Sequence, residues 1–225
     1  MIKINLARFA ENKYNQLLLA MMLAFLGGPL TENASLASFI IFLIPLLLLV
    51  RVIRALQPDR KTFRIYLGLA SWTLMLMFLS TLQIVPSEPS MQMIALSRFV
   101  ILVFLGVPVY LITLEIFQSE RVTVDTIKGG ICVYFLIGMF WANLYAITEI
   151  LVPKSFNTSS NLGKIDGLSD LIYFSFTTLT TTGYGDIAPG TAFAKVLANF
   201  ESIIGVMYPT IFIARLIGLY GKQKG

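Results

Sequence analysis

The sequence predicts an all-α membrane protein: six transmembrane helices, with one shorter helix that re-enters the membrane between the last two. Three observations lead there. Of 225 residues, 56% are hydrophobic and only 13% are charged, too few to wet the surface of a soluble globule. The apolar residues gather into runs long enough to cross a hydrocarbon core, which takes roughly 20 residues of helix. Between the fifth and sixth runs lies an amphiphilic stretch that is too short to span.

The runs lie near 15–31, 36–53, 65–85, 93–117, 129–151 and 192–218, bounded by Pro, Gly, Asn or charged residues and nearly free of ionisable groups at their centres. Lys3, Arg8 and Lys13 precede the first run. That charged start, the apolar stretch from Leu17 to Leu26 and the small residues from Ala34 to Ser38 also fit a signal peptide within residues 1–35. Glu11 and the length of the polar start argue for a membrane helix instead. Arg51, Arg54, Arg60, Lys61 and Arg64 crowd the connection between the second and third runs, whereas the loops at 31–35 and 86–92 carry only Glu32 and Glu88. Lys and Arg in short loops stay cytoplasmic. Both ends of the chain, including Arg215, Lys222 and Lys224, are therefore expected inside a cell membrane, and 152–191 outside. Pro45 and Pro108 predict kinks in the second and fourth helices.

Composition excludes much. One Cys and no His exclude most metal sites, disulfide frameworks and Cys–His nucleophiles, and Cys132 reads as packing. With no recognisable nucleophile, metal cluster or phosphate loop, no enzyme and no cofactor is expected. The net charge of +5 is dispersed over loops rather than gathered on one face, which argues against nucleic acid. Asn157-Thr158-Ser159 matches a glycosylation sequon, a pattern short enough to arise by chance.

The informative stretch runs from Ser169 to Asp186. Its first half suits a short helix near 169–179, with Ser169 or Asp170 placed to accept first-turn N–H groups and Tyr173, Phe174 and Phe176 for packing. Non-helical backbone at membrane depth is tolerated only where it is buried in protein or lines a polar passage. Gly183 and Gly185, flanking Tyr184, permit a backbone whose alternate residues take conformations closed to side chains with a Cβ, so that successive carbonyls all point one way. Thr181 adds a hydroxyl at the inner end. Such a stack of weak oxygen dipoles suits a dehydrated monovalent cation, and the helix C-terminus aimed at the path adds a modest favourable field.

Thr181-Thr182-Gly183-Tyr184-Gly185-Asp186 resembles the selectivity filter of tetrameric potassium channels, usually Thr-Val-Gly-Tyr-Gly-Asp, and Pro189 falls where that family places a Pro. Leu197 to Glu201 and Gly205 to Gly218 resemble the inner helix of small bacterial members. The resemblance implies a homotetramer around a central pore, with potassium held at Thr181, Thr182, Gly183, Tyr184 and Gly185. It also implies a pore domain over 127–225: outer helix 129–151, pore helix, filter 181–186 and inner helix 192–218. Residues 1–126 would form a four-helix domain like a voltage sensor. Thr182 departs from the usual Val and bears on filter rigidity and inactivation. Phe174 replaces a Trp that donates to the filter Tyr in many members, leaving Tyr173, Thr177 and Asp186 as candidate filter supports.

Gly205, with Pro209 one turn on, is a candidate gating hinge, its alternative being close packing against a neighbouring helix. Glu201, an acid inside a membrane helix, is a functional candidate by default, expected to brace the filter from behind with the threonines of the short helix as partners. A voltage sensor needs several Arg or Lys, since each charge moved through the field supplies only about 2.3 kcal/mol per 100 mV. The fourth helix carries Arg98 as its sole Arg or Lys, so little voltage dependence is expected. Only a few residues follow Gly218, so regulation is expected from lipid, tension, pH acting on Glu201 or Glu149, or a separate subunit. A non-selective cation pore is the alternative that Thr182 keeps open. A potassium transporter subunit fits less well, since such chains carry four pore repeats and this one carries a single filter.

Overall fold

The computed structural model describes residues 13–27, 35–56, 59–81, 91–158, 165 and 167–224. Lys3, Arg8, Glu32, Glu88 and Ser159 of the sequon lie outside the described residues. The chain is mostly helical: α1 Lys13–Gly27, α2 Ser35–Leu56, α3 Arg60–Thr81, α4 Met91–Gln118, α5 Val124–Leu151, α6 Leu168–Leu179 and α7 Ala192–Lys224, with two short strands, β1 Phe156–Thr158 and β2 Ile187–Pro189. Among the described residues, three helical stretches are long and apolar enough to cross a membrane: Ile94–Gln118, Val124–Leu151 and Ala192–Gly221.

Local chemistry sets where these helices begin. Asp59 accepts from the N–H groups of Lys61 (3.2 Å) and Thr62 (3.4 Å) at the start of α3, which satisfies donors that have no partner within the helix. The Thr123 and Thr126 side chains exchange bonds with each other's N–H at 3.1 and 3.3 Å, a reciprocal cap that starts α5 at Val124. The hydropathy run had placed that start at 129. Helical hydrogen bonding is indifferent to Lys128, so the helix runs past the charge that ended the apolar window. For the same reason α7 continues beyond 218 to Lys224. Thr191 Oγ1 accepts from the Ala194 N–H at 3.3 Å and caps its start.

The chain divides into two compact units, residues 1–87 with 107–135, and 88–106 with 136–225. In the first, α1 packs on α2 and α2 on α3. Its core includes Tyr14, Leu17, Leu49, Val52, Ile53, Tyr66, Ile112, Cys132 and Val133. The Tyr14 hydroxyl donates to Glu115, and a Cβ at Gly129 would lie 3.3 Å from the Tyr14 ring. Arg51 donates to Gln16 at 2.7 Å.

In the second unit α6 packs on α7, and β1 pairs antiparallel with β2, Phe156 opposite Pro189 and Thr158 opposite Ile187. The rings of Tyr145, Phe156 and Phe174 meet pairwise with centroids 5.1 to 5.3 Å apart, edge-on and tilted geometries that aromatic quadrupoles favour. This cluster joins the end of α5, the strand after it and the middle of α6 into one buried core.

Candidate functional site

The site grows from the C-terminus of α6. The Thr181 N–H bonds to the Thr178 carbonyl (3.0 Å), and the N–H groups of Thr182 and Gly183 both bond to the Thr177 carbonyl, at 2.8 and 3.1 Å. The first two bonds form a Schellman ending, in which the residue after the helix cap takes a left-handed conformation. That residue is Thr181, at φ 58°. Glycine normally holds this position, and a side chain with a Cβ there costs on the order of 1–3 kcal/mol. Gly183 (φ 55°) and Gly185 (φ 79°) are left-handed too, so positive φ recurs at every second residue of the segment. The Thr182 hydroxyl that departs from the family pattern lies 2.9 Å from that of Thr180, and Thr180 donates to the Phe176 carbonyl at 2.7 Å.

At the outer end, the Tyr173 hydroxyl donates to Asp186 Oδ2 at 2.7 Å, and the Tyr173 ring lies parallel to that of Tyr184, centroids 6.4 Å apart. The hydrogen bond from Tyr173 holds the Asp186 carboxyl below its ordinary 3.8 and pushes the phenol up to about 12. The β1–β2 ladder and the turn before it tie this end to α5. Glu149 accepts from the N–H groups of Lys154 (2.8 Å) and Phe156 (3.1 Å), and the Gly190 N–H bonds to the Ser155 carbonyl at 2.7 Å. A Cβ at Gly190 would meet Asn157 Nδ2 at 2.7 Å and the Lys154 carbonyl oxygen at 3.1 Å, so a larger residue would have to displace the Asn157 side chain.

Behind the segment, Glu201 is 0% exposed. The Tyr145 hydroxyl donates to its Oε2 at 2.5 Å, and the Ser175 hydroxyl lies 2.5 Å from its Oε1 and 2.8 Å from the Gly138 carbonyl oxygen. One carboxyl group thus links α5, α6 and α7. Two glycines let the helices come this close. A Cβ at Gly138 would sit 2.7 Å from the Phe176 ring, and one at Gly205 would sit 1.9 Å from the Leu179 carbonyl oxygen.

The structure therefore brings Tyr173 to Asp186 and Glu201 to α6. The partners of Glu201 are Ser175 and Tyr145, not the threonines of α6. Thr177 does not reach Asp186: its hydroxyl donates to the Phe174 carbonyl at 2.9 Å, and its part in the site is played by its own carbonyl. Gly167 at φ 101° caps α6 without a side-chain bond, which corrects the expectation that Ser169 or Asp170 caps it. The helix begins one residue earlier than the sequence suggested, leaving both inside its first turn, where Asp170 still complements the dipole. Gly205 lies against the end of α6, and Pro209 follows it within α7. Sequence reasoning did not single out Tyr145, Ser175, Gly138 or the β1–β2 ladder. Gly138 carried the one usable signal, a small residue within an apolar helix.

A family model described as an ion channel matches residues 130–221. Protein LctB of Bacillus caldotenax is 27% identical over 118 residues, which cover 51% of this chain and 87% of that protein. Two pore potassium channel a of Oryza sativa subsp. japonica is 26% identical over 111 residues, 49% of this chain and 29% of that protein. Two pore potassium channel c of the same plant is 34% identical over 61 residues, 27% of this chain and 13% of that protein. The chain thus spans less than a third of the length of either rice channel. No solved structure gives a significant match. Residues 130–221 match an ion-channel domain, and that match, with helices fit to cross a membrane, points to a non-enzymatic channel protein in a membrane.

Proposed function

We propose that the protein conducts potassium passively across a cell membrane, four copies closing around one pore with Thr181 to Asp186 as the selectivity filter. The observation that carries this reading is the left-handed backbone at Thr181, Gly183 and Gly185. Alternation of left- and right-handed residues turns successive carbonyls to one side, and four such stacks give rings of weak oxygen dipoles that replace the hydration shell of potassium. Potassium is taken at Thr181, Thr182, Gly183, Tyr184 and Gly185. In a single chain Tyr184 is 71% exposed, as expected of a segment that faces its symmetry mates. The likeness to the two rice potassium channels supports the choice of ion.

In this reading α1 to α5 and α7 are six spans, α6 is the pore helix, both ends of the chain face the cytoplasm and membrane lipid surrounds the tetramer. Arg98 as the sole basic residue of α4 leaves little voltage dependence. The test is the reversal potential of the purified protein in bilayers with potassium on one side and sodium on the other. Reversal close to the potassium equilibrium potential, lost on Gly183→Ala, supports a potassium filter. Reversal near zero with current flowing identifies a non-selective cation pore instead.

A further inference from the structure

We infer that Glu201 holds a proton, and that the protonated acid positions α6, and through it the Thr181 to Asp186 segment, against α5 and α7. The site needs three protons. Three oxygen–oxygen contacts meet here: Tyr145 to Glu201 at 2.5 Å, Ser175 to Glu201 at 2.5 Å and Ser175 to the Gly138 carbonyl at 2.8 Å. Each is a hydrogen-bond distance and needs one proton. A peptide carbonyl has none, and Tyr145 and Ser175 have one each. The third proton belongs to Glu201, whose Oε1–H donates to Ser175 while Ser175 donates to Gly138.

Were Glu201 ionised, one of the three contacts would set lone pair against lone pair, and a carboxylate would lie fully buried without a cation. Tyr145 is the titratable group that faces it from α5. Among the described residues no charged side chain from α5, α6 or α7 acts on it. An unpaired buried charge is among the most costly arrangements in a protein, and in hydrocarbon surroundings an acid stays neutral to avoid it.

The route to the segment is short. Ser175 precedes by two residues Thr177, whose carbonyl holds the N–H groups of Thr182 and Gly183. Ionising Glu201 removes the proton that lets Ser175 bridge α7 to α5, and so loosens the helix from which those two amides hang. Glu201 is thus a positioning residue that acts only while protonated, and its hold is lost as pH rises through its own titration. The effect on conduction rests on the channel reading above, whereas the protonation does not.

Infrared difference spectroscopy on the full chain in lipid tests the proton directly. At neutral pH we expect the carbonyl stretch of a buried carboxylic acid, absent in Glu201→Gln and moved to higher frequency in Ser175→Ala, which removes the short hydrogen bond. The Ser175→Ala shift carries the assignment even if Glu201→Gln does not assemble. No such band at neutral pH, or one that survives Glu201→Gln, overturns the inference. Bilayer currents, each normalised to its own value at neutral pH, test the positioning. Wild-type current should fall severalfold in the alkaline range where the band disappears. In Glu201→Gln, whose amide keeps a donor and an acceptor at these positions and cannot ionise, that fall should be missing. An equal alkaline fall in both proteins overturns the positioning role. If the wild type passes no potassium current at all, the channel reading fails, and the infrared band still decides the proton.

Discussion

Replacing Gly205 with Ala separates two roles for this residue that differ in what they break. A Cβ there would stand 1.9 Å from the Leu179 carbonyl oxygen and 2.7 Å from its carbonyl carbon, whereas ordinary contact begins near 3.4 Å. The end of α6 must therefore retreat by the difference, about 1.5 Å. The obstacle is backbone, so no rotamer change relieves it. Inserting a methyl into a packed site costs typically about 1–3 kcal/mol, and the gain in helix propensity from Gly to Ala, about 1 kcal/mol, offsets only part of that. Leu179 lies two residues before Thr181, so the displacement enters the segment directly. We expect Gly205→Ala to lower the thermal unfolding midpoint in detergent and to reduce the potassium-to-sodium permeability ratio measured from reversal potentials. Gly68→Ala, inside α3 with nothing within 4 Å, should leave the permeability ratio unchanged and, with the same propensity gain and no clash to offset it, should not lower the midpoint. A Gly205→Ala protein with wild-type stability and selectivity, altered only in open probability, would refute the packing argument and leave a hinge.

Three further outcomes follow from contacts in the structure. Tyr173→Phe removes the hydroxyl that donates to Asp186 while keeping the ring beside Tyr184, so sustained potassium current should decay faster with the initial selectivity intact. Glu149→Ala leaves the N–H groups of Lys154 and Phe156 without their acceptor. At about 1 kcal/mol for each lost hydrogen bond, the expected loss is about 2 kcal/mol, read from unfolding in denaturant. Asp59 is held below its ordinary 3.8 by the N–H of Lys61 and by Thr62. Its cap on α3 is therefore fully present above that value and is lost as pH falls through the depressed one. Protection of the amides at 61 and 62 from hydrogen exchange, relative to the intrinsic rate at each pH, should fall over that acid window in the wild type and stay flat in Asp59→Asn.

The sequence by itself pointed to a helical membrane protein and to the segment on which the proposed conduction rests. Hydropathy and charge placement require a membrane, and Gly183 and Gly185 around Tyr184 permit a backbone that few other residues allow. These are properties of composition and of single residues, so they are legible without coordinates. Element ends were less legible, because helices continue through Lys128 and Lys222 wherever caps and hydrogen bonding permit. Only the tertiary structure decided who meets whom. That Thr181 takes the left-handed turn follows from the Schellman ending of α6, not from its own preference. That Tyr173 finds Asp186, that Glu201 meets Tyr145 and Ser175 instead of the threonines, and that Gly205 touches Leu179 all depend on how α5, α6 and α7 pack. Such contacts join residues as many as 56 positions apart, and a sequence records the pieces of such a contact without the register that brings them together.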